Sequence, residues 1–376
     1  MGTRIDCADV WHVPVALRRG HVMSFGTAAT ADLIVVRLTD SDGAQGWGEA
    51  TVLGGPYWSE ESAESVFATL AQYLLPGLVN RPVDSAAAHL DGHVRQNPFA
   101  KAALEIALGD LRARRFGIAL AAMWGAHTPA PLALSWSLAA GTIDDDLREA
   151  GERAKAGQRI FKIKAGAQAV DQDVERIAAV RELLGPEVSL RVDANQGWTR
   201  PQAARALSRL NGLDLAFVEQ PLRRDDRTGL AALQAGTDIP LAADESLRTL
   251  SDAIALSTSD AARVFVYKPA KHGGIARARQ VAAVAEACGI EGYLGCMIES
   301  SIGTAAYLAF AMSGVPLAYG CELFGPQLLV DDLTEEPVQY ENGAILPTTG
   351  PGLGIQVDAE KVRALAVRHS QVRASD

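Results

Sequence analysis

Between residues 132 and 319, short apolar runs alternate with segments of helical periodicity, and this alternation restricts the possible folds more than any other feature of the chain. The runs are Leu132–Leu138, Ile160–Ile163, Val188–Val192, Leu215–Val218, Ile239–Ala242, Val264–Tyr267, Ile290–Leu294 and Val315–Tyr319. Among the intervening segments, Val170, Val174, Ile177 and Leu184 share one helical face, and Ala276–Cys288 runs into a terminating Gly289. Eight such units predict a closed parallel barrel ringed by helices. The alternative, an open doubly wound sheet, carries a Gly-x-Gly-x-x-Gly turn after an early strand, and none is present.

Residues 1 to about 125 follow a different rhythm and read as α+β. Ala8–Leu17 and Asp32–Thr39 read as strands, and the Ser41-Asp42-Gly43 turn leads into Gly46-Trp47-Gly48-Glu49, as in an antiparallel meander. Two helical stretches follow, Glu60–Leu75 and Phe99–Phe116. The second places Leu104, Leu108 and Leu111 at helical spacing and stops at Gly117. From about residue 322 the rhythm breaks again. Gly350-Pro351-Gly352-Leu353-Gly354-Ile355 is turn-rich and then extended, and this tail is expected to pack back on the N-terminal domain. A length of 376 residues fits two domains, or one large barrel with additions.

Composition narrows the function. Hydrophobic residues make up 48% and charged residues 21%, enough apolar material for a large core and against intrinsic disorder. Lys and Arg number 35 against 45 Asp and Glu, a net charge of −10 with no basic stripe, which argues against nucleic acid as a partner. No apolar run reaches the length that spans a bilayer. Met1 to Leu17 carries Arg4, Asp6 and Asp9 and lacks the apolar core of a signal peptide. The four cysteines (Cys7, Cys288, Cys296, Cys321) show no Cys-x-x-Cys spacing and read as reduced thiols, so a cytoplasmic location is expected.

Polar residues stand at the C-terminal ends of successive expected strands: Lys162 and Lys164, then Asp193 and Asn195, then Glu219, Asp244 and Lys268. From Lys164 to Lys268 the steps are 29, 26, 25 and 24 residues, one βα unit each. Strand C-termini of a barrel share one mouth, so these side chains should converge. Asp193, Glu219 and Asp244 would repel one another there, and a hard divalent cation with oxygen ligands removes that penalty. Singly, each carboxylate reads equally well as a helix cap or the partner of a surface Arg; three at one register in consecutive units do not. Lys162 and Lys164, two apart, point to the same face, and neighbouring ammonium groups should lower one another's pKa. Lys268 should meet a substrate from the opposite side. The pattern predicts proton transfer α to a metal-bound carboxylate, with the metal stabilising an enolate.

These residues resemble the enolase superfamily, and within it the muconate lactonizing enzyme subgroup. The resemblance spans essentially the whole chain. It rests on Gly46-Trp47-Gly48-Glu49-Ala50, the Lys-x-Lys pair, the three carboxylates and Lys268, and it extends to Gly295-Cys296-Met297-Ile298-Glu299-Ser300 and Gly320-Cys321-Glu322-Leu323-Phe324-Gly325-Pro326. The fold it implies is a (β/α)7β barrel, residues 126–321, with an α+β capping domain built from residues 1–125 and the tail 322–376. The implied metal ligands are Asp193, Glu219 and Asp244, holding Mg²⁺ or Mn²⁺, and a homo-oligomer, often an octamer, is implied as well.

Within the superfamily, the mandelate racemase subgroup uses a His base on strand seven, and residues 290–296 contain none; His272 reads as a loop residue past strand six. Dipeptide epimerases carry Asp-x-Asp after strand eight, where this chain has Cys321-Glu322-Leu323. Cys-Glu-Leu-Phe-Gly-Pro and the later Pro351-Gly352-Leu353-Gly354-Ile355 resemble the cycloisomerases that close cis,cis-muconate, a small dicarboxylate, to muconolactone. The resemblance implies that Lys164 protonates the α-carbon, that Lys162 tunes its charge and that Lys268 stabilises the enolate, with the roles of Lys164 and Lys268 exchangeable. An N-acylamino acid racemase or an o-succinylbenzoate synthase remains the alternative. Specificity is sought in the capping loops His21–Phe25 and Leu53–Trp58, with Met23, Phe25, Leu53 and Tyr57 covering the substrate. Glu299 is expected to line the pocket or hold a loop amide, Asn195 to hydrogen-bond a metal ligand, and Glu245 to turn away from the metal.

Overall fold

The structure is a computed structural model that describes residues 3–53, 55–125, 129–139 and 141–374. Gly54, within the expected specificity loop, and residue 126, the expected start of the barrel, lie outside the described residues, as do residues 1, 2, 375 and 376 at the expected ends of the capping domain.

The N-terminal sheet is a meander of β1 (Ile5–Met23), β2 (Gly26–Asp40) and β3 (Gln45–Val52), all antiparallel. The C-terminal strand Arg368–Arg373 adds to the free edge of β1, with Cys7 opposite Arg373. Helices α1 (Ala63–Thr69), α2 (Val83–His93) and α3 (Pro98–Phe116) follow. Helix α1 starts later than the expected Glu60 because Ser62 forms a capping box with Ser65, which leaves Glu60 and Glu61 outside. The two glycines of Gly46-Trp47-Gly48-Glu49 let β3 press on the α3 backbone. A Cβ at Gly46 would lie 2.3 Å from the Ala107 carbonyl oxygen, and one at Gly48 would lie 2.0 Å from that of Ala103.

The barrel begins after a two-residue strand, β4 (Leu132–Ala133), which pairs with a short hairpin of the tail and not with the barrel. Its strands are β5 (Trp136–Leu138), β6 (Ile160–Lys164), β7 (Ser189–Asp193), β8 (Leu215–Glu219), β9 (Leu241–Ala243), β10 (Val264–Tyr267) and β11 (Glu291–Leu294), parallel and in that order. Between them run α4 (Ile143–Lys155), α5 (Val170–Leu184), α6 (Arg200–Leu210), α7 (Arg227–Ala235), α8 (Leu250–Thr258), α9 (Pro269–His272) and α10 (Ile275–Ala287), and α11 (Ser301–Met312) follows the last strand. The expected eighth strand, Val315–Tyr319, is irregular. Closure falls one step later, at Cys321, which forms parallel bridges to both Leu134 and Leu294. Pro316 cannot donate to a ladder, and Gly320 at φ 68 turns the chain, so only a residue or two remains to complete the ring. This is a (β/α)7β barrel with an α+β capping domain, and all of its strand C-termini face one mouth.

Candidate active site

Register carries the polar residues into contact. Lys162 lies opposite Arg191 and Lys164 opposite Asp193, while Asp193 lies opposite Glu219. Lys162, Lys164, Asp193, Glu219, Asp244 and Lys268 are all buried. The Lys162 ammonium lies 2.5 Å from Glu322, 3.1 Å from Glu219 and 3.4 Å from Asp193. Lys164 donates to Asp193 at 2.7 Å and to the Asn195 side-chain oxygen at 2.9 Å. Across the mouth, Lys268 holds one oxygen of Asp244 at 2.7 Å and Lys271 holds the other at 2.6 Å.

Burial opposes every one of these charges, and the neighbours decide the outcome. Burial pulls Lys162 down, but Glu219, Glu322 and Asp193 outweigh it and hold the ammonium well above its ordinary value. The expectation that Lys164 lowers the pKa of Lys162 therefore fails, because three carboxylates surround the neighbouring ammonium. Burial raises Asp193, yet Lys164 and Lys162 bring it below the usual carboxylate range; for Asp244, Lys268 and Lys271 do the same. Glu219 behaves in the opposite way: burial and Asp193 push it well up, Lys162 does not offset them, and its second oxygen has no hydrogen-bond partner.

A divalent cation fits this donor set by its chemistry, since three buried carboxylates stand at neighbouring strand ends and one Glu219 oxygen is unpartnered. Lysine ammonium groups and the Asn195 backbone amide hold the remaining carboxylate oxygens, and among the described residues no group of three or more His, Cys, Asp or Glu is gathered tightly enough to hold a metal as it stands.

Above the charges lies a small cavity, with Lys164, Asn195, Lys268 and Glu322 on its barrel side. Cys296, Met297 and Ile298 form a wall, and His21, Met23, Leu53, Trp58 and Phe324 cover it. Ile298 sits at φ 62, an unusual value for a β-branched residue and a mark of a site held by its surroundings. The Lys268 ammonium lies 4.6 Å from the centre of the Trp58 ring, an arrangement that shields the charge and keeps water away.

Two stretches of the chain match known families. Residues 7–125 match the mandelate racemase / muconate lactonizing enzyme N-terminal domain, and residues 145–362 match the enolase C-terminal domain-like family. The chain belongs to the mandelate racemase and muconate lactonizing enzyme family. It is 37% identical over 371 residues to muconate cycloisomerase 1 of Pseudomonas putida, covering 97% of this chain and 98% of that protein. Its fold superposes on the muconate lactonizing enzyme of Pseudomonas fluorescens complexed with muconolactone at a TM-score of 0.95, with 34% identity over 97% of this chain and all of that one. It also superposes on the N-succinyl Arg/Lys racemase of Bacillus cereus at a TM-score of 0.93, with 30% identity over 98% of this chain and all of that one.

Other expected site residues of this family member sit elsewhere. Phe25 and Tyr57 are not in the inner cavity. They line an outer cleft with Arg223 and Arg224, and Tyr57 is 72% exposed there, because the two loops turn outward beyond Met23 and before Trp58. Glu299 does not line the cavity either. It is buried behind the wall, where it accepts the Met297 amide at 2.7 Å. Asn195 donates its amide to Asp193 at 2.9 Å and its side chain to Glu245 at 3.2 Å. Glu245 is therefore turned into the site, and burial with Asp244 raises it to about 7. His272 ends α9 and is buried, where its Nδ1 meets the Arg248 carbonyl at 2.8 Å.

Sequence reasoning included His21 and Trp58 only as ends of the capping loops, and Glu322 and Phe324 only within a motif, and it gave these four and Lys271 no role of their own. Glu322 follows Cys321, the closing residue of the ring, so the strand-end rule finds it once closure is placed there. Lys271 lies one turn after Lys268 on α9 and reaches the same carboxylate. His21 is a buried imidazole with an unpartnered Nδ1, held well below its ordinary pKa by burial and by Lys164, and it stacks on Phe324.

Proposed function

We propose that this chain closes cis,cis-muconate to muconolactone. The observation that carries the reading is that Lys164 and Lys268 face one small, covered cavity from its two sides, above three buried carboxylates. The names of the relatives support the substrate. Lys164 lies nearest the Asp193 side and donates the proton to the α-carbon as the distal carboxylate adds to the double bond. The substrate dianion thus takes up one proton, and the lactone keeps one carboxylate. Lys268, held against Asp244 beneath Trp58, offers positive charge where the proximal carboxylate gains electron density. His21, neutral and with a free ring nitrogen, is placed to bind the substrate from the cap side, and Met23, Leu53, Trp58 and Phe324 exclude water.

Asp193, Glu219 and Asp244 would hold a divalent cation, Mg²⁺ or Mn²⁺, which when bound supplies charge opposite the substrate carboxylate. In this reading the chain divides at 125/126 and 321/322 into capping domain, barrel and returning tail, and it works in the cytoplasm as a homo-oligomer, an octamer among the forms to be measured. No helix among the described residues is long and apolar enough to cross a membrane.

The same two lysines favour a second reading, racemisation of an N-acylamino acid, which needs a base on each face. Incubation with cis,cis-muconate and Mg²⁺ in D₂O separates the two. The proposal predicts muconolactone carrying one deuterium at the α-carbon. Unchanged diene, together with deuterium exchange into an N-succinylamino acid, would replace it with the racemase.

A further inference from the structure

Glu49 closes the Gly46-Trp47-Gly48-Glu49 stretch of the capping sheet, and nothing in the chemistry above uses it. It is buried, and it does not line the cavity. Its carboxylate crosses from cap to barrel. It accepts the Ser300 amide at 3.0 Å, the Ser300 hydroxyl, the Thr51 hydroxyl at 2.8 Å and the Gly303 amide at 3.4 Å. Three of these donors belong to the first turn of α11 and its cap, so a side chain of the cap grips the helix that follows the cavity wall.

That wall is irregular and is fixed by side chains and not by a strand ladder. Cys296, Met297 and Ile298 are irregular, with Ile298 in the left-handed region. They fold around the Glu299 carboxylate through the Met297 amide, and the Ile298 amide lies 2.9 Å from the Cys296 sulfur. Gly303 makes room for this arrangement, since a Cβ there would lie 2.8 Å from that of Glu299 and 2.9 Å from a Glu49 oxygen. At its other end the wall begins with Gly295, where a Cβ would lie 2.6 Å from Cε of Lys268. A shift of the wall toward the barrel therefore displaces the Lys268 ammonium. From the tail, Asp332 grips Ser301 at its amide and hydroxyl, so the helix start is held from two directions.

We propose that Glu49 is a positioning residue for the reaction: it docks the cap on the start of α11 and so sets the wall from Gly295 to Ile298 and the place of Lys268. The inference rests on the cycloisomerase reading for its rate assay. Misplacement of a reacting group by about 1 Å costs up to roughly 100-fold in rate. Glu49→Ala is expected to lower kcat on muconate by about tenfold or more while KM changes less than about threefold. Glu49→Gln, which keeps an acceptor oxygen for Ser300 and Thr51, restores most of kcat. Hydrogen exchange of the amides from 295 to 300 rises in Glu49→Ala and stays unchanged in α3. If Glu49→Ala does not fold, Ser300→Ala gives the same split between kcat and KM. The proposal is overturned if folded Glu49→Ala keeps kcat within about twofold of the parent, or if activity falls only as the folded fraction falls. A parent inactive on muconate would sink the functional reading alone; the exchange comparison would still decide the role of Glu49, with unchanged exchange from 295 to 300 overturning it.

Discussion

Replacing Lys162 by Met tests the electrostatics of the site most sharply. The ammonium is 1% exposed and lies 2.5 Å from Glu322, 3.1 Å from Glu219 and 3.4 Å from Asp193. At 3.1 Å, with an effective dielectric of about 20, one such pair attracts by ~5 kcal/mol. Desolvation of the ions takes back several kcal/mol, and removing one partner of a buried pair costs ~3–5 kcal/mol because the other charge stays buried. Here three carboxylates lose their shared cation, so Lys162→Met should lie at the upper end of that range. Met fills the space of the stem, so little of the loss comes from packing. Equilibrium urea unfolding at pH 7 with EDTA measures the loss, and repetition with excess Mg²⁺ should recover more stability in the variant than in the parent. A cation at 100 times its dissociation constant adds ~2.7 kcal/mol to a protein that binds it only when folded. A loss below ~1 kcal/mol in EDTA, or no difference in the response to Mg²⁺, would refute the reasoning.

Other consequences are as definite. Lys164→Ala should lower kcat on muconate by about 10²–10⁴-fold, the range for removing a positioned proton donor, with the fold unchanged by circular dichroism; activity within tenfold of the parent would remove Lys164 from that role. Gly48→Ala drives a methyl group into the Ala103 carbonyl oxygen and should destabilise the chain by ~3 kcal/mol or more, read as a lower unfolding midpoint. Glu61 accepts the Phe99 and Ala100 amides at the start of α3, and burial raises it to about 7 against an ordinary value of 4.5. A raised carboxyl stabilises the fold fully below its unfolded pKa and loses that contribution as pH rises through its folded pKa. Relative to Glu61→Gln, the parent should therefore lose on the order of 3 kcal/mol between pH 4 and pH 8, and urea unfolding across that window would show a flat difference if the reasoning is wrong.

The barrel was legible because strands buried on both faces leave apolar runs, and Lys162, Lys164, Asp193, Glu219, Asp244 and Lys268 were legible because each stands within or just past the end of such a run. The closing strand was not. Two or three residues around Cys321 carry no periodicity, whereas Val315–Tyr319 is apolar and misled the reading by a few residues, so Glu322 was placed after the strand without a role in the site. The capping strands were read too short, since β1 continues past Leu17 through Arg18, Arg19 and Gly20, which break the apolar run before the buried His21 and Met23. Helix α2 was missed because Ala86–Ala88 and Gly92 give it only a weak apolar stripe. Contacts between the capping domain, its tail and the barrel could not be read at all. Trp58 over Lys268, His21 on Phe324 and Glu49 on Ser300 join residues far apart in sequence, and no local pattern announces such pairs.

In the proposed reaction, metal, lysines and cover act together on a conjugated dicarboxylate. Loss of the ultraviolet absorbance of cis,cis-muconate, followed with purified protein in Mg²⁺ or Mn²⁺ and again in EDTA, tests it most directly. Rapid loss of the diene with metal, suppression by EDTA and recovery when metal is restored are expected. A diene that persists with metal present would contradict it.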